Sequence, residues 1–263
     1  MNSTEINMTA LDASRHKWRT HLAIMALAVI SLFLLTTVNS VFAQQRFAKK
    51  YPARRDMRFE LTNLFGTVTV EAWDRDEIKV QADMDSPVAR IAPEQTDNGL
   101  VINLKRDNRG RADVGDVNFR IYVPVNSTVD IETMRGDITV IGVQGQMVRA
   151  KVWMSGDIGL TGIRAARVMA ENTMGDILFD GELASGGTYE FRSMQGNINI
   201  RIPASSNFSL MAATPSRVIN LGPFANSGLN FMGDGRKVYG NVGDARASLV
   251  LTNQRGRITF IPR

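Results

Sequence analysis

The stretch Gly136-Asp137-Ile138-Thr139-Val140 recurs along the chain as a pattern: a glycine, a polar residue, a β-branched residue and, two positions later, another apolar residue. The other clear copies are 115–119, 156–160, 175–179, 196–200 and 256–260. With weaker units at Val218 and Val238, the first apolar positions are 117, 138, 158, 177, 198, 218, 238 and 258. The chain therefore has a repeat of about twenty residues, which is typical of stacked architectures.

A second alternating stretch follows each of several units, as in Val148, Ala150 and Val152. Such alternation indicates half-buried strands, and no segment after residue 45 shows a convincing apolar period of 3.6 residues. A unit of about twenty residues cannot bury its own apolar face, so neighbouring units must stack with strands ~4.8 Å apart. The sequence predicts an all-β protein, a single-domain parallel β-solenoid with about 20 residues per rung.

We expect the repeats to occupy residues 115–263 and a less regular β region, residues 59–104, to cap them. This N-terminal cap contains the unit 66–70, whose offset from Val117 is not a whole number of periods. Solenoids need caps that hide the open edges of their terminal strands. Pro262 limits further pairing at the other end, because proline cannot donate to a β-ladder.

The composition restricts the chemistry that the protein can perform. The 263 residues include no cysteine and two histidines, His16 and His21. If a leader that contains both histidines is removed, the mature protein has neither thiol nor imidazole. This excludes cysteine nucleophiles, disulfides, Ser-His-Asp triads and the usual zinc ligand sets.

The N-terminal segment has the pattern of a signal peptide. Arg15, Lys17 and Arg19 precede the apolar run 22–35, and small residues then precede a predicted cut between Ala43 and Gln44. The alternative is an uncleaved anchor over residues 22–43 that holds the protein at the inner membrane. In either case we expect everything after residue 45 to be exported, to the periplasm, the cell surface or the medium. A lipoprotein is excluded because no cysteine is present for acylation.

Basic residues are concentrated in residues 44–58, which we interpret as a linker. The functional hypothesis is a basic arm that binds anionic envelope polymers or lipid headgroups, and the alternative is a solvated linker. No basic patch interleaved with aromatic residues suggests nucleic acid as a partner. The residues of the basic arm are Arg46, Lys49, Lys50, Arg54 and Arg55.

Residues 63–70 read Asn-x-x-Gly-x-Val-x-Val, and residues 136–140, 156–160 and 175–179 read Gly-Asp-Ile followed by an apolar residue two positions on. In these motifs, residues 59–263 resemble a family of bacterial domains of unknown function known as putative adhesins. Arg201-Ile202-Pro203 is similar to the family's Leu-Pro break. The resemblance implies a right-handed β-helix-like fold and an envelope setting, and it brings no catalytic residues.

The polar position after each glycine predicts a stripe of acidic side chains, because equivalent residues align in a stacked coil. The first four of these residues are Asp116, Asp137, Asp157 and Asp176. One hypothesis is weak Ca²⁺ binding, although the Gly-Gly-x-Gly-x-Asp pattern of calcium-binding β-rolls is absent. The alternative is that solvated carboxylates cap the turns, in which case no cofactor is needed.

A second stripe consists of Met134, Met154, Met174 and Met194, which recur at one constant interval. Aligned thioethers could bind Cu(I), a soft metal that suits soft ligands. The alternative is that methionine fills irregular corner space between rungs. The sequence predicts no other metal site.

The outward strand positions carry a mixed surface that selects no ligand class. We expect a non-catalytic envelope protein, an adhesin or scaffold, whose partner is polysaccharide, peptidoglycan, another protein or a second copy of itself. A polysaccharide-acting enzyme that uses carboxylates is the alternative, but its acids would have to converge on one groove, and the corner aspartates are evenly spread. The outward residues are Arg149, Lys151, Glu171, Glu190 and Arg192. We expect Trp73 and Trp153 to pack, with partial exposure of Trp153 at a corner as the alternative.

Overall fold

The computed structural model describes residues 45–54, 56–85, 87–111, 113–215 and 219–263. The strands are β1 (Gln45–Pro52), β2 (Arg58–Phe65), β3 (Val68–Trp73), β4 (Glu77–Met84), β5 (Glu94–Thr96), β6 (Gly99–Asn103), β7 (Val117–Pro124), β8 (Thr128–Arg135), β9 (Ile138–Ile141), β10 (Met147–Ser155), β11 (Ile158–Ile163), β12 (Arg167–Met174), β13 (Ile177–Gly181), β14 (Thr188–Gln195), β15 (Ile198–Arg201), β16 (Phe208–Ala213), β17 (Asn230–Met232), β18 (Lys237–Val242), β19 (Ala247–Arg255) and β20 (Ile258–Ile261). Within these ranges the other regular elements are a short helix, α1 (Leu104–Asp107), and a 3-10 turn at Gly222–Phe224. The all-β prediction is confirmed.

The strands form two sheets. Sheet 1 has nine strands in the order β1-β4-β7-β3-β9-β11-β13-β15-β20. Sheet 2 has eleven strands in the order β17-β18-β16-β19-β14-β12-β10-β8-β2-β6-β5. Alternate side chains of both sheets join one hydrophobic core that lies within residues 51–260, and the described residues between 45 and 263 form a compact unit by themselves.

The middle of each sheet is parallel, and the glycine units lie side by side there. In sheet 1, Ile158 lies opposite Ile138 on one side and Ile177 on the other. All three side chains are buried, which stabilises the fold by about 1.5–3 kcal/mol for each. In sheet 2, β8, β10, β12 and β14 pair with one another in the same parallel manner.

The solenoid prediction is wrong in its closed, all-parallel form, because both sheets are mixed. In sheet 1, β4 runs antiparallel to both β1 and β7. In sheet 2, β5 is antiparallel to β6, and β18 is antiparallel to β16 and β17. The connections β5–β6 and β17–β18 are only two and four residues long, and such short connections allow hairpins but not the longer crossover of a parallel pair.

The predicted order of the units is also wrong at both ends of the chain. The unit 66–70, expected in the cap, supplies β3, which lies between β7 and β9. The last unit does not follow two intervening rungs, because Ile258 lies directly opposite Ile198. Val238 belongs to the antiparallel strand β18, and Val218 lies outside the described residues.

The glycines of the units are required where the chain turns between the two sheets. Gly175 has φ = +130°, a conformation that other residues rarely adopt. A Cβ atom added there would lie 2.2 Å from the carbonyl oxygen of Gly156 on the neighbouring turn. Close stacking of the turns and the positive φ therefore both exclude a side chain at this position.

The stretch expected to be a basic linker contributes a strand instead. Residues 45–52 form β1, which pairs with β4 along its whole length at the edge of sheet 1. Ala43, Gln44 and Arg55 lie outside the described residues, as does the proposed leader. Among the helices in the described ranges, none is long and apolar enough to cross a membrane.

Candidate functional site

The carboxylates of the corner stripe accept hydrogen bonds from the next turn. Asp137 Oδ1 accepts from the backbone N–H of Asp157 at 2.8 Å, and Asp157 Oδ1 accepts from the N–H of Asp176 at 2.7 Å. Asp176 Oδ1 accepts from the N–H of Asn197 at 2.7 Å, and Asn197 Oδ1 accepts from that of Arg257 at 3.1 Å. Each side chain therefore fixes the turn of its neighbour.

Asp116 does not belong to this stripe. Because Val68 lies opposite Phe119, the corner position of this unit is Asn118, and Asn118 Oδ1 accepts from the N–H of Thr67 at 2.9 Å. The exposed Asp116 lies two residues earlier, where its backbone carbonyl accepts from the N–H of Asp85. The Gly-Asp-Val pattern at 115–117 placed the prediction two residues too early.

A second polar ladder lies beneath the corners, and of its asparagines only Asn63 belongs to a motif that the sequence pattern singled out. The buried Asn172 Nδ2 donates to the carbonyl oxygen of Gly175 at 2.7 Å, and the buried Asn253 Nδ2 donates to that of Gly196 at 2.7 Å. Asn63 Nδ2 donates to three carbonyls, among them Val117 at 3.1 Å. The spacing Asn-x-x-Gly is the sequence signal that all three asparagines share.

The described residues contain no group of three or more histidine, cysteine, aspartate or glutamate side chains that could hold a metal ion. In the corner stripe, one carboxylate oxygen of each of Asp137, Asp157 and Asp176 is committed to a turn N–H. The arrangement thus supplies turn-capping acceptors.

The basic arm is largely paired within sheet 1. Arg46 Nε lies 2.9 Å from Asp83 Oδ1, and Lys50 Nζ lies 3.0 Å from Glu77 Oε1. The hydrogen bond from Lys50 lowers the pKa of the Glu77 carboxyl. Lys49 Nζ lies 5.0 Å from the centre of the Tyr51 ring. These contacts leave less free positive charge than a solvated arm would present.

The remaining arm residue, Arg54, lines an open cleft of about 430 Å³. The cleft also contains Met57 and the polar turn 95–97. The structure therefore separates Arg54 from Arg46 and Lys50, which lie on the face of β1 and β4.

The outward side of sheet 2 carries two rows of residues that are charged except for Met169, and together we call these rows the charged face. In one row the residues lie opposite one another on neighbouring strands with alternating sign: Glu132, Lys151, Glu171 and Arg192. The second row is Asp130, Arg149, Met169 and Glu190. The outward orientation expected for Arg149, Lys151, Glu171, Glu190 and Arg192 is confirmed, since each is half-buried or exposed.

Ion pairs connect the charged face. Arg149 Nε lies 2.8 Å from Asp130 Oδ1, and the guanidinium also pairs with Glu132. Lys151 Nζ lies 3.1 Å from Glu171 Oε2, and Arg192 pairs with Glu190 along the same strand. Between the rows lies a shallow cleft of about 50 Å³ whose floor includes Met169.

Trp153 stands at the end of the charged face and is 48% exposed. Its Nε1 donates to Glu132 Oε2 at 3.2 Å, and Lys151 Nζ lies 3.8 Å from its ring centre. A cation in this position is attracted by the ring face. These contacts hold the indole at the surface, so the expectation that Trp153 packs is wrong and the alternative of a partly exposed corner position is the one observed.

The methionine stripe is not straight. Met174 lies opposite Ser155 and Gln195, so it is displaced by one residue from Met154 and Met194. These three side chains are 44–50% exposed and Met134 is half-buried. One interpretation of the sequence was that these methionines fill the corner space between rungs. The exposure of three of them disagrees with that interpretation.

Comparisons with known proteins add information on the fold. No family model matches the sequence, and no curated protein matches it either. The fold resembles that of a "putative cell adhesion protein" from Clostridium sporogenes. The two chains are 12% identical, the alignment covers 84% of this chain and 100% of the other, and the TM-score is 0.51.

Two further solved structures are more distant. A "putative adhesin" from Bacteroides fragilis is 11% identical, with 83% of this chain and 98% of the other covered and a TM-score of 0.35. A "putative lipid binding protein" from Parabacteroides distasonis is 10% identical, with 82% and 97% covered and a TM-score of 0.32. At these identities the likeness concerns the fold alone.

Proposed function

We propose that this protein is an exported, non-catalytic binding module of the bacterial cell envelope, similar in role to an adhesin, and that it binds its partner through the charged face. The observation that carries the proposal is the alternating row formed by Glu132, Lys151, Glu171 and Arg192 on four neighbouring strands. A parallel ladder repeats its side chains every ~4.8 Å. Such a row matches a repeating polar polymer or another β-surface better than a single small molecule.

A binding role is supported by the contacts of the carboxylates. Asp137, Asp157 and Asp176 accept turn N–H groups, and Asp130 and Glu171 pair with Arg149 and Lys151. A glycosidase needs an acid pair about 5 to 9.5 Å apart across a substrate groove. The cleft of about 50 Å³ on the charged face is too shallow to enclose a sugar ring between two acids.

Export is part of the proposal and rests on the sequence of residues 1–43. A basic start, the apolar run 22–35 and small residues before Ala43 are the features that export machineries read. The Clostridium sporogenes protein of similar fold is named a putative cell adhesion protein, which agrees with a place outside the cytoplasm.

The first experiment determines where the protein is and what lies beside it. Cells that express the full chain are fractionated, the native N-terminus is determined by mass spectrometry, and neighbours are identified by crosslinking in cells. The proposal expects an extracytoplasmic protein that begins at Gln44 and crosslinks to an envelope component. A cytoplasmic protein that retains Met1 would contradict export. Turnover of envelope polysaccharide by residues 44–263, abolished by Glu171→Gln alone, would contradict the non-catalytic role.

A further inference from the structure

The alternating row of the charged face is complementary to itself in reverse order. Its charges run from Glu132 on β8 through Lys151 on β10 and Glu171 on β12 to Arg192 on β14. Taken from the other end, the row has a cation wherever it had an anion and an anion wherever it had a cation. A second copy of the row, laid on the first in reverse order, therefore presents an opposite charge at all four positions.

A two-fold axis produces this reversed arrangement. Because β8, β10, β12 and β14 run parallel, an axis along the strands, between β10 and β12, turns a second copy face to face with the first and keeps the residue rows level. Lys151 then faces Glu171 of the second copy, and Glu132 faces Arg192 of the second copy farther out. An axis along β10 or β12 would instead oppose two lysines or two glutamates. Two-fold contacts of this self-complementary kind are the commonest in homo-oligomers.

The ions at the centre of this contact form a closed network. Within one chain Lys151 Nζ lies 3.1 Å from Glu171 Oε2, and the Glu171 side chain is 51% exposed. In the two-fold contact each lysine lies between two glutamates, one of its own chain and one of the second copy. A network of alternating charges contributes more than an isolated surface pair. Since a wrong register opposes like charges, the row also fixes how the two faces align.

The second row of the charged face is compatible with the same axis. It places Arg149 opposite Met169 of the second copy and Asp130 opposite Glu190 of the second copy. Asp130 is only 8% exposed and lies 2.8 Å from Arg149 Nε, and Glu190 pairs with Arg192. Because each of these acids has an arginine partner in its own chain, the repulsion between them is offset.

A third outward row supplies apolar contacts. Two residues farther along the same four strands, and so on the same side of the sheet, lie Met134, Trp153, Thr173 and Met194. Trp153 and Met194 are 48% and 50% exposed. The two-fold axis places Met194 opposite Met134 of the second copy and Trp153 opposite Thr173 of the second copy. Aromatic residues and methionine are enriched at protein interfaces, and this contact covers both exposed side chains.

We propose that two copies of this chain bind each other through the charged face, about a two-fold axis between β10 and β12. The face from β2 to β19 has six neighbouring strands of eight or nine residues. It is therefore about 29 Å wide and about 26 Å long. The resulting area of about 750 Å² per copy is close to the ~800 Å² per partner of a standard-size interface. The inference rests on the proposed function, because it uses the same face and names its partner; envelopes that hold the chain then bind further copies of it.

The test exchanges the central charges in purified residues 44–263 and follows self-association by sedimentation velocity. We expect the wild type to dimerise, and Lys151→Glu and Glu171→Lys to self-associate at least tenfold more weakly, because like charges then face each other. An equimolar mixture of these two variants restores opposite charges at both central contacts and is expected to form a heterodimer. The double exchange Lys151→Glu/Glu171→Lys keeps the pair within the chain and is expected to dimerise like the wild type. Lys50→Glu makes the same change in net charge on sheet 1 and is the matched control, with unchanged dimerisation.

A wild-type protein that stays monomeric up to about 100 μM would overturn the inference, because standard-size interfaces have micromolar or tighter affinity. That result would leave the charged face for an envelope polymer, and binding to envelopes from cells that lack the chain would still decide the proposed function. A double-exchange variant that melts like the wild type but stays monomeric would also overturn the inference, as would folded single variants that do not form a heterodimer. Equal weakening by Lys50→Glu and Lys151→Glu would contradict it too, since net charge alone would then be responsible.

Discussion

The backbone N–H of Asp176 donates to Oδ1 of Asp157 at 2.7 Å, across two successive turns of the same corner. The same contact joins Asp157 to Asp137 below it and Asn197 to Asp176 above it. A carboxylate or an amide oxygen can fill this role, because only an acceptor is required. The acidic stripe is therefore explained by turn geometry before any ligand is considered.

Replacement of the acceptor tests this role. We expect Asp157→Ala to lower the free energy of unfolding by about 0.5–1.5 kcal/mol, the usual net value of one hydrogen bond. Asp157→Asn keeps the acceptor, as Asn118 and Asn197 do at equivalent corners, and is expected to stay within about 0.5 kcal/mol of wild type. Urea unfolding of both variants provides the measurement. Equal losses in the two variants would show that charge, and not the acceptor, matters.

Glycine at the corner is a second requirement that can be measured. Gly175→Ala introduces a Cβ 2.2 Å from the Gly156 carbonyl oxygen at φ = +130°, and we expect a loss of about 2–4 kcal/mol or failure to fold. Gly159→Ala is the matched control on the adjacent strand, where the nearest atom is Thr139 Oγ1 at 3.9 Å, and it is expected to be near neutral. A Gly175→Ala protein that melts with the wild type would refute close stacking of the turns.

Tyr189 should make stability depend on pH in alkaline solution. Its hydroxyl donates to the Ala165 carbonyl at 2.9 Å and accepts from the Ala184 N–H at 2.6 Å, and burial raises the pKa of Tyr189 above its usual value of 10.0. A raised folded-state pKa means that the contribution is complete below pH 10 and is lost as the pH rises further.

The variant Tyr189→Phe separates this effect from that of Tyr51, whose pKa burial also raises. At neutral pH we expect Tyr189→Phe to cost about 1–3 kcal/mol, because it leaves the buried Ala165 carbonyl and the part-buried Ala184 N–H without their partner. Above pH 10 the gap between wild type and variant narrows, as measured by urea unfolding at pH 8 and pH 11. A gap that stays constant with pH would contradict the assigned shift.

The contact between Lys50 and Glu77 gives an acid-side prediction for the basic arm. The hydrogen bond from Lys50 holds the pKa of Glu77 below its usual value of 4.5, so this contribution to stability is present above that value and is lost as the pH falls. We expect Lys50→Gln to raise the pKa of Glu77, as followed by NMR titration of its carboxyl carbon. Lys49→Gln, which removes a neighbouring cation that faces Tyr51, is the control and leaves that pKa nearly unchanged.

The local pattern predicted the parallel middle of the sheets well. Glycine with a β-branched residue two positions later placed Ile138, Ile158, Ile177 and Ile198 in the core, and all four are buried in register. Each of these positions depends on residues only a few places away in the chain. Burial and turn conformation at this short range can therefore be predicted from the repeat period of the sequence.

The ends of the sheets could not be predicted in the same way, because strand order depends on distant contacts. Ile258 pairs with Ile198, which lies far away in the chain. The equal spacing of the apolar residues between them predicted two further rungs, but this part of the chain contains the hairpin β17–β18. The register of β7 could not be predicted either. Val117 and Phe119 are both buried and apolar, so either residue could have been the first apolar position of the unit. Only the pairing of Val68 with Phe119 shows which one it is. The bulge that exposes Trp153 and Met154 could not be predicted from the sequence, because a single extra residue in one strand does not change the repeat period.

The most direct measurement of the central claim compares two ion-pair removals in residues 44–263 and follows co-sedimentation with isolated cell envelopes. The double variant Lys151→Gln/Glu171→Gln erases the middle of the charged row, and Lys50→Gln/Glu77→Gln removes a lysine–glutamate pair of similar length from sheet 1. Neither changes the net charge, and pairs of this kind at the surface contribute little to stability. The account predicts at least tenfold weaker envelope binding for the first variant and unchanged binding for the second. Equal binding by both variants and wild type would contradict it.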